Sequence, residues 1–299
     1  MRLTQIRGFV AVVETGSIGA AARSFGVSQP GITKSIRALE TELQVQLLQR
    51  TTRGVVPTPY GKAFYARARV AQSELQHAEQ EIQHLAGDRT GSVAFGFGPV
   101  AAALIVPEAV SIFREKFPSA RVRLVEGFVH TMVPLVRDET LDFAIAPGIA
   151  EFRRDPGLKF RPLFHYERVV AGRRNHPLAR AGSLARLIEA QWLSFEPRGM
   201  LEQMFLKLGL SCPRPIVQSD SGSASLMLLA RTDMLGVLPR PMLSATNADL
   251  HEFRIAEVFP PFTVGIFTRA DTPLTRASSA MARIVSEVGR RVASNRPAA

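Results

Sequence analysis

Gln29, Thr33, Lys34 and Arg37 are separated by four, one and three residues, a spacing that sets them along one face of a helix. Their amide, hydroxyl, ammonium and guanidinium groups are the kinds that hydrogen-bond base edges and phosphate oxygens. The apolar residues Ile32, Ile36, Leu39 and Leu43 keep the same helical period and commit the opposite face to a core. Ser28 stands where an N-cap is needed, and Pro30 falls in the first turn, where its missing N–H leaves no bond unmade. A helix must start there. Just upstream, Phe25-Gly26-Val27 interrupts a segment rich in alanine (Ala20, Ala21, Ala22). Glycine takes a positive φ readily at such a turn, and alanines let two helices approach closely at a steep angle. Residues 17 to 54 therefore read as a helix-turn-helix. Its second helix would carry Ser28, Gln29, Pro30, Thr33, Lys34 and Arg37 toward a major groove.

Two amphipathic helices joined by a glycine turn also occur as ordinary packing units, so charge has to decide. The 299-residue chain carries a net +11. Its first 69 residues hold ten lysines and arginines against three glutamates, a net +7. Less than a quarter of the length thus carries most of the excess, the electrostatic footprint of a polyanion partner. After the second helix, residues Leu47 to Pro57 read as a strand, a basic turn and another strand. This is a wing bearing Arg50 and Arg53, with Arg53 placed to enter a minor groove.

At these residues the chain resembles the LysR-type transcriptional regulators. The pattern is carried by Phe9 and Val13, Gly16-Ser17, Ala21-Ala22, Ser28-Gln29-Pro30 and Ile32-Thr33. It continues through Ile36-Arg37-Ala38-Leu39-Glu40, Leu43, Leu47, Arg50, Arg53 and Thr58-Pro59-Tyr60-Gly61. Gly19, Gly31 and Leu48 depart from it, where a larger residue, alanine and phenylalanine are usual. The resemblance extends over essentially the whole chain. It implies a bacterial regulator that binds double-stranded operator DNA as a homodimer or homotetramer, works with RNA polymerase, and responds to a small-molecule effector.

Length and a 46% hydrophobic content support two or three domains with real cores. No apolar run is long enough to span a membrane, and the N-terminus reads as an amphipathic helix rather than a signal peptide, so a cytoplasmic protein is expected. The single Cys212 excludes an intramolecular disulfide and reads as a structural thiol. From Pro59 to Gly87 a long helix is expected. Its residues Phe64, Ala68, Ala71, Leu75, Ala78, Ile82 and Leu85 alternate spacings of four and three, a seam for a partner helix. Packing against its own effector domain is the competing reading. Two recognition helices on a two-fold axis would read a pseudo-palindromic operator.

Beyond Gly91, strands alternate with helices, which argues for α/β architecture with a largely parallel sheet. The first helix of this part is expected over about Val100 to Phe117. The expected divisions are a mainly α winged helix-turn-helix at 1–58, a dimerisation helix at 59–87, effector subdomain I at 91–162 plus 268–299, and effector subdomain II at 163–267. The resemblance implies two α/β subdomains similar to periplasmic binding proteins, with ligand in the cleft between them. Ligands of α/β sheets sit beyond the carboxyl ends of parallel strands, where helices begin. That rule selects Gly98, Pro99 and Val100; His130 and Thr131; Pro147; Phe195, Arg198, Gly199 and Met200; and Ser221 and Ser223. Many relatives have a hydroxyl residue where Gly98 stands, leaving only backbone N–H groups there. Arg198 could pair with a carboxylate. With the apolar Val100, Phe128, Met132, Phe195 and Met200 it favours a small organic acid, an aromatic one included.

Catalytic signals are weak. Gly96-Phe97-Gly98-Pro99-Val100-Ala101 satisfies a dinucleotide fingerprint only formally, because Pro99 stiffens the loop and no acid follows at the usual distance. The histidines show no metal-ligand spacing and no triad signature, so neither metal nor cofactor is expected. An NAD-dependent enzyme and a constitutive DNA-architectural protein are the alternatives to a ligand-controlled regulator.

Overall fold

The computed structural model of the chain describes residues 1–51, 54–85, 91–194, 200–245 and 249–294. Two compact units emerge, Met1–Asp88 with Asp138–Thr140, and Arg89–Arg137 with Leu141–Ala299.

The first unit is built on α1 (Leu3–Thr15), α2 (Ile18–Phe25) and α3 (Gln29–Leu43). Ser17 caps α2 by accepting from the Ala20 N–H at 3.3 Å, and Ser28 caps α3 by accepting from the Gly31 N–H at 3.3 Å. Between them Gly26 adopts φ +63° and donates its N–H to the last carbonyls of α2, the left-handed stop that glycine takes without penalty. Ala21 and Ala22 are buried with Ala11, Val12, Ile32 and Ile36, so the small residues do let the helices close on one another. Leu43, expected on the core face, is 37% exposed. It is the last residue of α3, and Gln44 turns the chain away at φ +55°.

The α3 terminus is closed by a contact that periodicity does not reveal. The Glu40 carboxylate accepts the N–H groups of Leu47 at 2.8 Å and Leu48 at 3.1 Å. The wing strands β1 (Leu48–Thr51) and β2 (Gly54–Pro57) pair antiparallel, Thr51 opposite Gly54. Gly54 sits at φ +128°, and a β-carbon there would lie 2.6 Å from the Gly16 carbonyl oxygen, which accepts the Val55 N–H at 2.9 Å. The wing is thereby docked on the α1–α2 turn. Thr52 and Arg53 lie outside the described residues.

Helix α4 (Pro59–Leu85) starts at Thr58, whose hydroxyl accepts the Gly61 N–H at 3.0 Å. Phe64 and Ala68, expected at a partner-helix seam, instead pack with Phe9, Val10, Leu39 and Leu47 of the same chain; Phe64 meets Phe9 edge-on at 5.3 Å. For these two residues neither the partner-helix seam nor packing on the effector part describes the contacts, because the core they fill is that of the winged helix. Ala71, Leu75, Ala78 and Ile82 are exposed. The side chain of Leu85 lies outside the described residues.

In the second unit one sheet has the order β4 (Arg121–Glu126), β3 (Ser92–Phe97), β5 (Phe143–Pro147), β12 (Phe262–Arg269), β6 (Leu158–Tyr166). The first three strands are parallel, and β12 runs antiparallel to both of its neighbours. The other sheet has the order β11 (Leu250–Glu252), β7 (Arg168–Arg173), β10 (Met234–Pro239), β8 (Gln191–Ser194), β9 (Pro215–Gln218). Both sheets are therefore mixed rather than largely parallel. Residues 163–166 and 262–267, expected in the second subdomain, belong to strands of the first sheet, which corrects that boundary. β6 escapes periodicity because Pro162 and three basic residues interrupt its pattern. Proline is accommodated because β6 is an edge strand with a register shift opposite it, between Val264 and Gly265,.

The helix expected over 100–117 is two helices, α5 (Pro99–Leu104) and α6 (Val106–Lys116). Pro107 lies in the first turn of α6 and Ile105 leaves helical geometry at φ −124°, since proline supplies no N–H to continue the ladder. The remaining helices are α7 (Val129–Arg137), α8 (Ala150–Arg153), α9 (Met200–Lys207), α10 (Gly222–Arg231), α11 (Pro241–Ala245) and α12 (Arg276–Ser294). α12 buries Ala277, Met281, Ile284 and Val288 in the core that contains Phe95 and Phe143, stacked 4.9 Å apart. The second sheet is packed around the buried Trp192, whose indole N–H donates to the Leu187 carbonyl at 2.8 Å.

Candidate nucleic-acid interface and effector cleft

Gln29, Pro30, Lys34 and Arg37 are exposed on α3 while Ile32, Ile36 and Leu39 anchor its other face. The Ser28 hydroxyl is engaged as the cap. Thr33 is half-buried and its hydroxyl donates to the Gln29 carbonyl at 2.9 Å. Arg50 is exposed on β1. One helix face thus concentrates an amide, an ammonium and a guanidinium on a rigid apolar base. At the far end of α1, Glu14 accepts from Arg69 of α4 at 2.5 Å and from the Tyr65 hydroxyl at 3.4 Å. Burial, and then the adjacent Glu14 charge, push the Tyr65 phenol above its ordinary value.

In the second unit a cavity of about 60 Å³ opens beyond the carboxyl ends of β3 and β5. Gly98, Pro99, Val100 and Pro147 line it as expected, together with Gly127 and Phe128 after β4. Tyr166, Pro239, Met242 and Phe262 complete the wall and were not anticipated. They arrive at the end of β6, the end of β10, on α11 and at the start of β12, elements far apart along the chain whose meeting leaves no local signature. An adjoining cavity of about 190 Å³ shares Pro99, Gly127 and Phe128 and adds Glu126, Asp220, Ser221 and Gly222. Here a β-carbon on Gly222 would be 3.0 Å from Pro99 Cγ, so the start of α10 closes against the start of α5.

Three expected cleft residues, His130, Thr131 and Ser223, line neither cavity. The His130 imidazole lies 3.8 Å from the Glu151 carboxylate and 5.4 Å from the Phe152 ring, because its position on α7 directs it to α8. The Thr131 hydroxyl donates to the Phe128 carbonyl at 2.8 Å. Neither lines either cavity. Ser223 touches the Ser221 hydroxyl at 3.2 Å without lining the cavities. Phe195, Arg198 and Gly199, and the side chain of Met200, lie outside the described residues. The backbone N–H expected to be free at Gly98 instead donates to the Ile145 carbonyl at 3.0 Å, and Pro99 has none to offer.

The first chamber is walled mainly by carbon, and the carboxylates of Glu126 and Asp220 line the adjoining one. Gly96 of the formal dinucleotide fingerprint lies against Met132 and Leu141, each 2.9 Å from where a β-carbon would be; its missing side chain serves core packing. Burial, and then the nearby Glu202, raise the Cys212 thiol pKa, which favours the protonated thiol over the nucleophilic thiolate. Among the described residues no three His, Cys, Asp or Glu gather to hold a metal ion, and no helix is long and apolar enough to cross a membrane.

A winged helix-turn-helix followed by two α/β subdomains of periplasmic-binding-protein type defines the class: a DNA-binding regulator with an effector-binding domain. A LysR substrate binding domain matches residues 86–290, and the bacterial regulatory helix-turn-helix protein of the lysR family matches residues 3–62. The chain belongs to the LysR family of transcriptional regulators. It is 30% identical over 240 residues to the HTH-type transcriptional regulator TdcA of Escherichia coli K12, spanning 79% of this chain and 76% of TdcA. It is 29% identical to GbpR of Azospirillum brasilense, over 99% of this chain and 90% of GbpR. The crystal structure of full-length CbnR complexed with its target DNA superposes with a TM-score of 0.68 at 21% identity, covering 96% of this chain and all of CbnR. That likeness concerns the fold.

Proposed function

We propose that this regulator reads a two-fold operator in the major groove with the exposed face of α3, and that a small molecule in the carbon-lined cleft controls it. The observation that carries the first part is the juxtaposition of exposed Gln29, Lys34 and Arg37 with a helix face anchored in the core by Ile32, Ile36 and Leu39. Groove binding needs both, because base contacts specify only when the helix is held in register. Ala71, Leu75, Ala78 and Ile82 continue the seam of α4 beyond the core of its own unit, which supports a homodimer, or a homotetramer built from two. Ligand would shift the population of subdomain orientations and thereby the geometry of bound DNA in the bacterial cytoplasm, with RNA polymerase as the downstream partner.

The cleft supports a compact, largely apolar effector. Its expected carboxylate would have to be met by Arg198, since the adjoining cavity carries Glu126, Asp220 and Ser221. Selection of duplexes from a randomised pool by the full-length protein tests the groove reading. Thr33→Ala and Lys34→Ala should erode base discrimination, while Arg53→Ala should lower affinity for all duplexes and flatten the salt dependence. Identical selection profiles and affinities for all three variants and the parent would remove α3 from the groove. A thermal-shift screen of aromatic and aliphatic carboxylates, with the matching amines beside them, tests the cleft. A ligand at a hundred times its Kd stabilises the native state by about 2.7 kcal/mol.

A further inference from the structure

We propose that Gly19, which lies outside the recognition helix, sets the direction in which Gln29 presents its amide to DNA and so tunes base specificity. Gly19 is the second residue of α2. A β-carbon built on it would lie 2.5 Å from Gln29 Nε2 and 3.4 Å from Gln29 Cδ, with an Arg23 guanidinium nitrogen at 3.7 Å. The Gln29 amide is therefore folded into the space that any other residue would occupy. The Gln29 backbone is held independently, by the Ser28 cap at the start of α3 and by the Thr33 hydroxyl on its carbonyl at 2.9 Å. Only the side chain is free to respond.

Ordinary van der Waals contact begins near 3.4 Å, so a methyl group at position 19 must displace the amide by about 1 Å. A side-chain amide reads adenine through a paired donor and acceptor with defined directions. A displacement of that size changes which base edge it matches. The group displaced is the end of an exposed, flexible side chain, and alanine is a better helix former than glycine. Fold stability is therefore retained while the reading group moves. The proposal rests on α3 lying in a major groove.

Full-length parent, Gly19→Ala, Gln29→Ala and the double variant would each select duplexes from a randomised pool, with thermal unfolding as the check on folding. Gln29→Ala identifies the base positions that depend on its amide. Gly19→Ala should change preferences at those same positions by about tenfold, and should add nothing when Gln29 is already alanine. Three results overturn the proposal: parental preferences in Gly19→Ala, an equal loss of affinity for every duplex, or the same change with Gln29 absent. If Gln29→Ala, Thr33→Ala and Lys34→Ala all keep the parental profile, the groove placement fails first and the positioning role goes with it.

Discussion

Gly61→Ala should unfold the winged-helix unit selectively, although it replaces glycine by the best helix former within a helix. A β-carbon at Gly61 would lie 1.9 Å from the Leu47 carbonyl oxygen, 2.9 Å from its carbon and 3.2 Å from Pro57 Cβ. The Leu47 carbonyl cannot move aside freely, since it accepts the Thr58 N–H at 2.9 Å and the Thr58 hydroxyl at 3.3 Å. Relief requires lifting the start of α4 by more than 1 Å. That breaks about two hydrogen bonds worth ~1 kcal/mol each. It also disturbs the packing of Phe64 and Ala68 by about 1–3 kcal/mol, against a helix-propensity gain of up to ~1 kcal/mol. The net loss is about 3 kcal/mol, or roughly 10–20 °C for a unit of this size. Gly8→Ala is the internal control: its β-carbon would meet only Ile32 Cδ1, at an ordinary 3.5 Å, so it should stabilise α1 by about 0.5–1 kcal/mol. Guanidinium titration followed by far-UV circular dichroism reads the helices. Fluorescence of the lone tryptophan, Trp192 in the second unit, should keep its midpoint. A Gly61→Ala protein whose helices melt within about 0.5 kcal/mol of the parent would refute the close approach of α4 to Leu47.

Four further outcomes follow from the same contacts. Glu40→Ala leaves the Leu47 and Leu48 N–H groups without their acceptor and should destabilise the first unit by about 2 kcal/mol, seen as a lower denaturation midpoint. The raised Tyr65 pKa means that the folded state resists phenol ionisation. Stability should be complete below pH 10 and fall as pH rises past the unfolded phenol's value, with Tyr65→Phe flattening that decline in an alkaline melting series. Gly98→Ser should fold normally, because its β-carbon would meet nothing closer than 3.8 Å; a change in melting temperature above 3 °C without ligand, set at about 1 kcal/mol or less for a unit this size, would contradict that open space. Alkylation of Cys212 should be slow at neutral pH and still accelerating above pH 9, the ordinary thiol value, whereas a plateau near neutrality would show a reactive thiolate.

Much of the DNA-binding unit was legible because its signals are short-range. Ser28, Pro30 and Gly26 mark helix ends by backbone chemistry within three or four residues, and Ile32, Ile36 and Leu39 repeat at the helical period. The same rules failed where a partner lies far along the chain. Phe64 and Ala68 have ideal seam spacing, yet Phe9 and Leu39 reach them first. His130 stands at a helix start, yet Glu151 and Phe152 turn it away from the cleft. Pro162 disguised β6, and with it the strand that brings Tyr166 to the cavity wall.

Read alone, the sequence determined that residues 17–54 form a helix-turn-helix, that the chain's excess positive charge gathers around it, and that an α/β part follows. Capping, periodicity and net charge are properties of neighbouring residues and survive without knowledge of the fold. Tertiary structure alone decided that β12 inserts antiparallel between β5 and β6, that Tyr166 and Phe262 wall the cleft, and that Gly19 leaves the space into which Gln29 folds. Those depend on which distant backbones come within van der Waals reach, and local spacing carries no record of that.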